Sequence, residues 1–219
     1  MPDVVGPIQD FLRSATLIAA PALLALTLHE VAHGLAALWL GDTTAKDAGR
    51  LTLNPLKHLD LVGTIAIFLV RIGWAKPVPV NPARFRNPAK GMLLVALAGP
   101  AMNFLLAVLF AALLGALAQL PAPAPGTASH QVLEPLITMV VYGVVINLGL
   151  GFFNLIPVPP LDGANILAGL LPRNAAFAYM RMGRWGFLII IVLAFTGILG
   201  KVLWPMVETG RALLFSFFL

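Results

Sequence analysis

The amino-acid sequence predicts an all-α membrane protein of about four transmembrane helices. Five or six are expected if every apolar stretch spans, and a small re-entrant or extended β element is expected at 61–82. Three observations carry the prediction. First, hydrophobic residues fill 59% of 219 positions and charged residues only 11%, against about 25% charged in soluble domains; the mean hydropathy is +0.92. Second, several apolar stretches reach the ~20 residues a helix needs to cross a bilayer, and polar or proline-rich connections separate them. Third, the basic residues crowd into some connections and avoid others, as they do where a membrane sorts the loops. The length leaves no room for a large soluble domain beside these spans, so 1–219 reads as a single membrane-embedded domain.

The first apolar segment, 11–40, ends at Gly41-Asp42. It is longer than a span requires, so it is expected to tilt, to project from the bilayer, or to break near Pro21. The preceding MPDVVGPIQD lacks the basic region and small-residue cleavage site of a signal peptide, and the segment is expected to be retained. Residues 41–60 are polar, with a turn signal at Asn54-Pro55. The next apolar run, 61–73, is short for a span. Prolines at 77, 79, 82 and 88 then favour extended backbone. These features give the re-entrant or interfacial element at 61–82, a kind of backbone tolerated at membrane depth only inside protein or along a cavity. A second span is expected at 91–119, followed by the loop PAPAPGTASH, and a third at 133–153 running into FNLIPVPPLDG. A short helix at 163–171 and a fourth span at 185–203 follow; 206–219 reads as a further span or an interfacial helix. No internal repeat of the transporter kind is visible.

Eight of the 14 Lys and Arg residues fall between 41 and 90, and Arg173, Arg181 and Arg184 follow the third span, while 120–132 has none. The rule that basic loops stay inside puts 41–90 and 162–184 in the cytoplasm, with the N-terminus and 120–132 outside. A multi-pass plasma-membrane protein is expected. The net charge of +5 is therefore read as topology rather than as nucleic-acid binding. Arg84, Arg86 and Lys90 are expected to meet anionic headgroups of the lipid bilayer.

Against this apolar background stands His29-Glu30-Val31-Ala32-His33. HExxH on a helix sets two imidazoles one turn apart on one face, with the intervening Glu beside the water of a bound zinc. Ionisable groups at membrane depth are costly and are functional candidates by default. With no cysteine in the chain, any metal must be held by nitrogen and oxygen. A catalytic zinc needs a third protein ligand. The nine acidic residues are Asp3, Asp10, Asp42, Asp47, Asp60, Glu134, Asp162, Glu208 and Glu30 itself. Asp162 differs from the rest, because Pro157, Pro159 and Pro160 break the apolar run just before it. A capping role for Asp162 on the short helix stays open.

The stretch Asn154-Leu155-Ile156-Pro157-Val158-Pro159-Pro160-Leu161-Asp162-Gly163 resembles the NxxPxxxLDG signature of the site-2 proteases, intramembrane zinc metalloproteases. Gly49-Arg50-Leu51-Thr52-Leu53-Asn54-Pro55, KPVPVNP at 76–82 and Ala98-Gly99-Pro100-Ala101-Met102-Asn103 resemble the compact prokaryotic members. The resemblance covers about 25–175, and the family's PDZ and CBS domains have no counterpart. It implies one Zn2+ held by His29, His33 and Asp162, Glu30 as general base, and Asn154 as a hydrogen-bond donor to the substrate. It also implies a transmembrane protein as substrate, cut in or near its helix. That helix must unwind first, and 61–82 is the candidate edge for holding the unwound strand.

Other polar residues have quieter readings. His58 is expected to be structural or solvated, and His130 solvated in the outer loop. Asn103 and Asn147 are expected to hydrogen-bond between helices, and Gly99 and Gly143 to let helices approach. The rival function is a zinc-binding membrane protein without proteolysis, acting in transport, sensing or as a scaffold. The scarcity of polar residues in the outer half of the spans weighs against transport, and an intact Glu30 against a scaffold.

Overall fold

The computed structural model describes the backbone of residues 5–63, 73–121 and 123–219. Eight helices carry the described chain: α1 (Val5–Trp39), α2 (Thr44–Asp47), α3 (Pro88–Ala118), α4 (Ala128–Asn154), α5 (Asp162–Leu170), α6 (Arg173–Met180), α7 (Gly183–Phe195) and α8 (Ile198–Phe218).

Helix α1 continues unbroken through Pro21, so of the three alternatives for its excess length the break does not occur. Its 35 residues extend about 52 Å at 1.5 Å per residue, well beyond a ~30 Å hydrocarbon core. Helix α3 starts where its sequence dictates: Pro88 fills the first turn, where a missing N–H costs nothing, and the Asn87 side chain caps Lys90 N–H at 3.1 Å. Thr127 caps α4 in the same way, at His130 N–H. Among the described residues three helical stretches are long and apolar enough to cross a membrane: Arg13–Trp39, Pro88–Ala118 and Ala128–Asn154. A fourth arises only if α6 and α7, bent by 59° from one another, count as one span.

Two expectations change. The span expected at 185–203 is not one helix. Gly197 adopts a left-handed backbone, φ 74°, that ends α7 and restarts the chain as α8. With 13 residues, α7 reaches only about 20 Å and cannot span alone. The β element expected at 61–82 is also not seen among the described residues. They hold a single antiparallel bridge, Leu59 with Ala75, and no strand; residues 64–72 lie outside the described part. The prolines explain the rest of that segment, since Pro77 and Pro79 have no N–H to give to a ladder.

Helices α1, α3 and α4 pack on one another, and α8 lies along α3 and α4. Ala107 and Ala111 of α3, Val144 and Leu148 of α4 and Val207 of α8 form one buried core, sealed by Phe104, Phe110 and Phe152. Glycines set these approaches. A Cβ on Gly143 would lie 2.8 Å from the Phe110 ring, and one on Gly151 would lie 2.8 Å from Phe104.

The loops after α1 are tied by charged side chains as well as by apolar packing of Val78, Val80 and Phe85. Asp42 is fully buried and accepts from Thr44 N–H (3.0 Å), the Thr44 hydroxyl (2.5 Å) and Asn81 N–H (2.6 Å). Arg50, also buried, donates to the carbonyls of Lys76 (2.6 Å) and Pro77 (3.2 Å). His58 is structural: it is buried, its Nε2 lies 2.9 Å from Thr52 O, and its own carbonyl accepts from Lys76 N–H. The extended chain 76–81 is thereby held at both ends.

Candidate metal centre

One helical turn separates His29 from His33, so their rings share a face of α1. They meet edge to face, with centroids 4.6 Å apart. The two Nε2 atoms are 3.0 Å apart. Asp162 arrives from the other side of the sequence as the first residue of α5 and sets Oδ2 3.2 Å from His29 Nε2 and 3.3 Å from His33 Nε2. The proline-rich turn before α5 delivers it there. Leu161 N–H bonds Val158 O at 3.0 Å, and the Tyr179 hydroxyl donates to Pro157 O at 2.6 Å. Gly163 packs so closely on the carbonyl of Leu155 that no side chain fits.

The donor set fits a cation. His33 Nδ1 lies 2.7 Å from the Val95 carbonyl, which can only accept, so Nδ1 carries a proton and, in the neutral ring, Nε2 is left with a lone pair. His29 Nδ1 lies 2.6 Å from Asn103 Oδ1, which leaves its Nε2 in the same state. Two nitrogen lone pairs and a carboxylate oxygen thus converge within 4.8 Å, and buried Asp162 Oδ2 has no hydrogen-bond partner. A tetrahedral zinc with bonds of 2.0–2.1 Å holds its ligand atoms about 3.3 Å apart, close to the spacing found. Among the described residues this is the one group of three or more His, Cys, Asp or Glu that could hold a metal.

Glu30, half-buried, stands beside this triad, and its Oε2 accepts Val78 N–H at 2.9 Å. Asn154 ends α4, and its side-chain nitrogen donates back to Leu150 O at 3.0 Å, away from the triad. His130 lies in the first turn of α4 and joins no metal group.

Several contributors were not singled out from the sequence. Val78 contributes through its backbone N–H, which no side-chain motif announces, and Arg50 reaches the site only by holding the chain at 76–77. From the sequence Gly99 reads as a packing residue, but its partners are the candidate ligands: a Cβ there would meet His33 Cε1 and Nε2 at 2.5 Å and His29 Cε1 at 2.6 Å. The AGPAMN run was the available signal, since it places Gly99 and Asn103 one turn apart on α3.

Comparison with known proteins agrees with this chemistry. The profile of Peptidase family M50 matches residues 17–196, which include all three candidate ligands. The Bacillus subtilis protein named "Putative zinc metalloprotease YwhC" is 40% identical over 192 residues, covering 86% of this chain and 84% of that protein. "Putative zinc metalloprotease Rip2" of Mycolicibacterium smegmatis is 34% identical over 204 residues, covering 91% and 74%. No solved structure matches the chain. The match spans most of the chain and takes in the residues that could hold a metal, and the chain belongs to Peptidase family M50, the site-2 protease family of zinc metalloproteases.

Proposed function

We propose that the chain hydrolyses a peptide bond in or near the transmembrane helix of a protein substrate, with zinc held by His29, His33 and Asp162. The observation that carries this reading is the convergence of three lone-pair donors at the ends of apolar helices, with the Glu30 carboxylate beside them.

Zinc held by His29, His33 and Asp162 would supply Lewis acidity to a water and to the scissile carbonyl. The residues of the chain supply the rest. Glu30 takes a proton from the attacking water and returns one to the leaving amine. The Val78 N–H holds Oε2, which orients the carboxylate and leaves Oε1 for that exchange. Asn154, released from Leu150 O by side-chain rotation, donates to the carbonyl oxygen or to the substrate backbone.

A helical substrate hides its carbonyls in its own hydrogen bonds and must unwind to be cut. The extended chain around Val78 is where the unwound segment would lie. Pro77 and Pro79 carry no N–H, so the substrate would be held by the carbonyls there rather than by a full ladder. The basic residues of 41–90 and 162–184 support a cytoplasmic location for those loops, with the N-terminus and 120–132 outside. The cut would then fall toward the cytoplasmic end of the substrate helix.

The test compares zinc content and cleavage of transmembrane-helix reporters for wild type and Glu30→Gln. Equal zinc, with cleavage lower by at least about 100-fold in the variant, is expected. Equal cleavage by the two proteins would remove Glu30 from the chemistry.

A further inference from the structure

We infer that Asn103 and Asn147 are positioning residues for the metal: they form a hydrogen-bond relay that starts at a backbone carbonyl of α4 and fixes the tautomer of His29. The inference rests on the zinc-protease reading above. Both side chains are fully buried among apolar helices, where an amide with open hydrogen-bonding groups is costly.

The direction of the relay is forced. The Gly143 carbonyl can only accept, so the Asn147 group 2.9 Å from it is the NH2. Asn147 therefore turns its Oδ1 to Asn103, whose Nδ2 donates to it at 2.9 Å. The Ala25 carbonyl, 3.4 Å from the same nitrogen, independently requires a donor there. Asn103 is left to present Oδ1 to His29 Nδ1 at 2.6 Å, and an oxygen there admits only N–H. In the neutral ring, the form that binds a metal, His29 Nε2 then carries its lone pair toward His33 and Asp162.

His33 needs no such relay, because the Val95 backbone carbonyl locks it directly. For His29 the competing tautomer is close at hand. With its proton on Nε2, the ring would donate to Asp162 Oδ2, 3.2 Å away. That bond would satisfy two of the three ligands with each other and close the site to a cation. The Asn103 oxygen disfavours this state, in the manner of partners that orient metal-bound histidines.

The relay is tested on the full chain in lipid nanodiscs, using zinc competition against a chelator and 15N spectra of histidine-labelled, metal-free protein. Asn103→Leu is expected to weaken zinc binding about 10- to 100-fold and to move His29 from the Nδ1–H form toward Nε2–H. Asn147→Leu should give a smaller loss than Asn103→Leu. Asn103→Leu binding zinc within about twofold of wild type, or retaining the Nδ1–H form, would overturn the relay. If wild type itself takes up no zinc, the metal reading falls, and the metal-free spectra still decide the relay.

Discussion

Two buried polar clusters meet at Glu30, and they solve the same problem in opposite ways. In the loop cluster, Asp42 and Arg50 turn their charges onto backbone amides and carbonyls, and His58 lies on a carbonyl. In the helix cluster, His29 and His33 spend their Nδ1 atoms on neighbours and leave both Nε2 lone pairs pointing at Asp162. His33 and His58 are both buried, so burial alone does not distinguish a ligand from a structural histidine. The difference lies in the company of the second nitrogen: His33 Nε2 faces His29 Nε2 and Asp162 Oδ2, while His58 Nδ1 is buried with no polar partner. One cluster holds chain, and the other has a donor set that could hold an ion.

The sharpest way to break that comparison is to remove one residue from each side. Asp162→Ala should lower zinc affinity by more than about 100-fold, beyond the effect typical of an outer-shell change, and cleavage should fall with it. His58→Ala should leave zinc stoichiometry unchanged while destabilising the protein by about 1–3 kcal/mol, the usual consequence of opening a buried hydrogen bond. Zinc loss in the His58 variant, measured by metal analysis after dialysis, would merge the two clusters into one.

The coupling between them is next. Arg50 holds the carbonyls of Lys76 and Pro77, one residue from the Val78 N–H that reaches Glu30. Arg50→Met should therefore keep its zinc yet cleave about 10- to 100-fold more slowly, because a misplaced base is expensive. Zinc binding and turnover measured on the same preparation separate these effects.

Gly99→Ala probes the helix cluster from behind. The new methyl group would press on both imidazoles, at an overpacking cost of about 1–3 kcal/mol. A lower unfolding midpoint and weaker zinc binding are expected together; a lower midpoint with unchanged zinc affinity would show that the rings yield without losing their ligand geometry.

The smallest effect belongs to Asp42. Burial alone would raise its carboxyl pKa, but bonds from the Thr44 hydroxyl and from the Asn81 and Thr44 amides, with the Arg84 charge, outweigh it and hold the value below the usual 3.8. Its stabilisation is complete above that ordinary value and is lost as pH falls through the lowered folded one. Asn at this position does not titrate. The gap in unfolding midpoint between wild type and Asp42→Asn should be constant above about pH 5 and narrow below about pH 4.

Much of this was legible in the chain itself. The apolar runs of α1, α3 and α4, the i and i+4 spacing of His29 and His33 and the proline-broken approach to Asp162 are local patterns, and local patterns are what a sequence displays. The C-terminal part was harder to read. Residues 185–203 are apolar apart from Thr196 and Lys201, and the backbone sign at Gly197 divides them into α7 and α8. The prolines of 76–82 announced extended chain correctly, but whether extended chain pairs into a sheet depends on a partner that local residues do not name.

The sequence by itself determined the membrane class, the donor types available to a metal and the helix face that carries two of them, because each follows from composition or periodicity along one segment. The tertiary structure decided the direction of every polar contact. Asn103 and Asn147 read as generic interhelical residues until the carbonyls of Ala25 and Gly143 dictated which end of each amide faced which neighbour. Gly99 read as packing until its neighbours proved to be the imidazoles. Val78 was invisible because its contribution is a backbone N–H. A hydrogen bond has a donor and an acceptor from different parts of the chain, and only folding brings the two together.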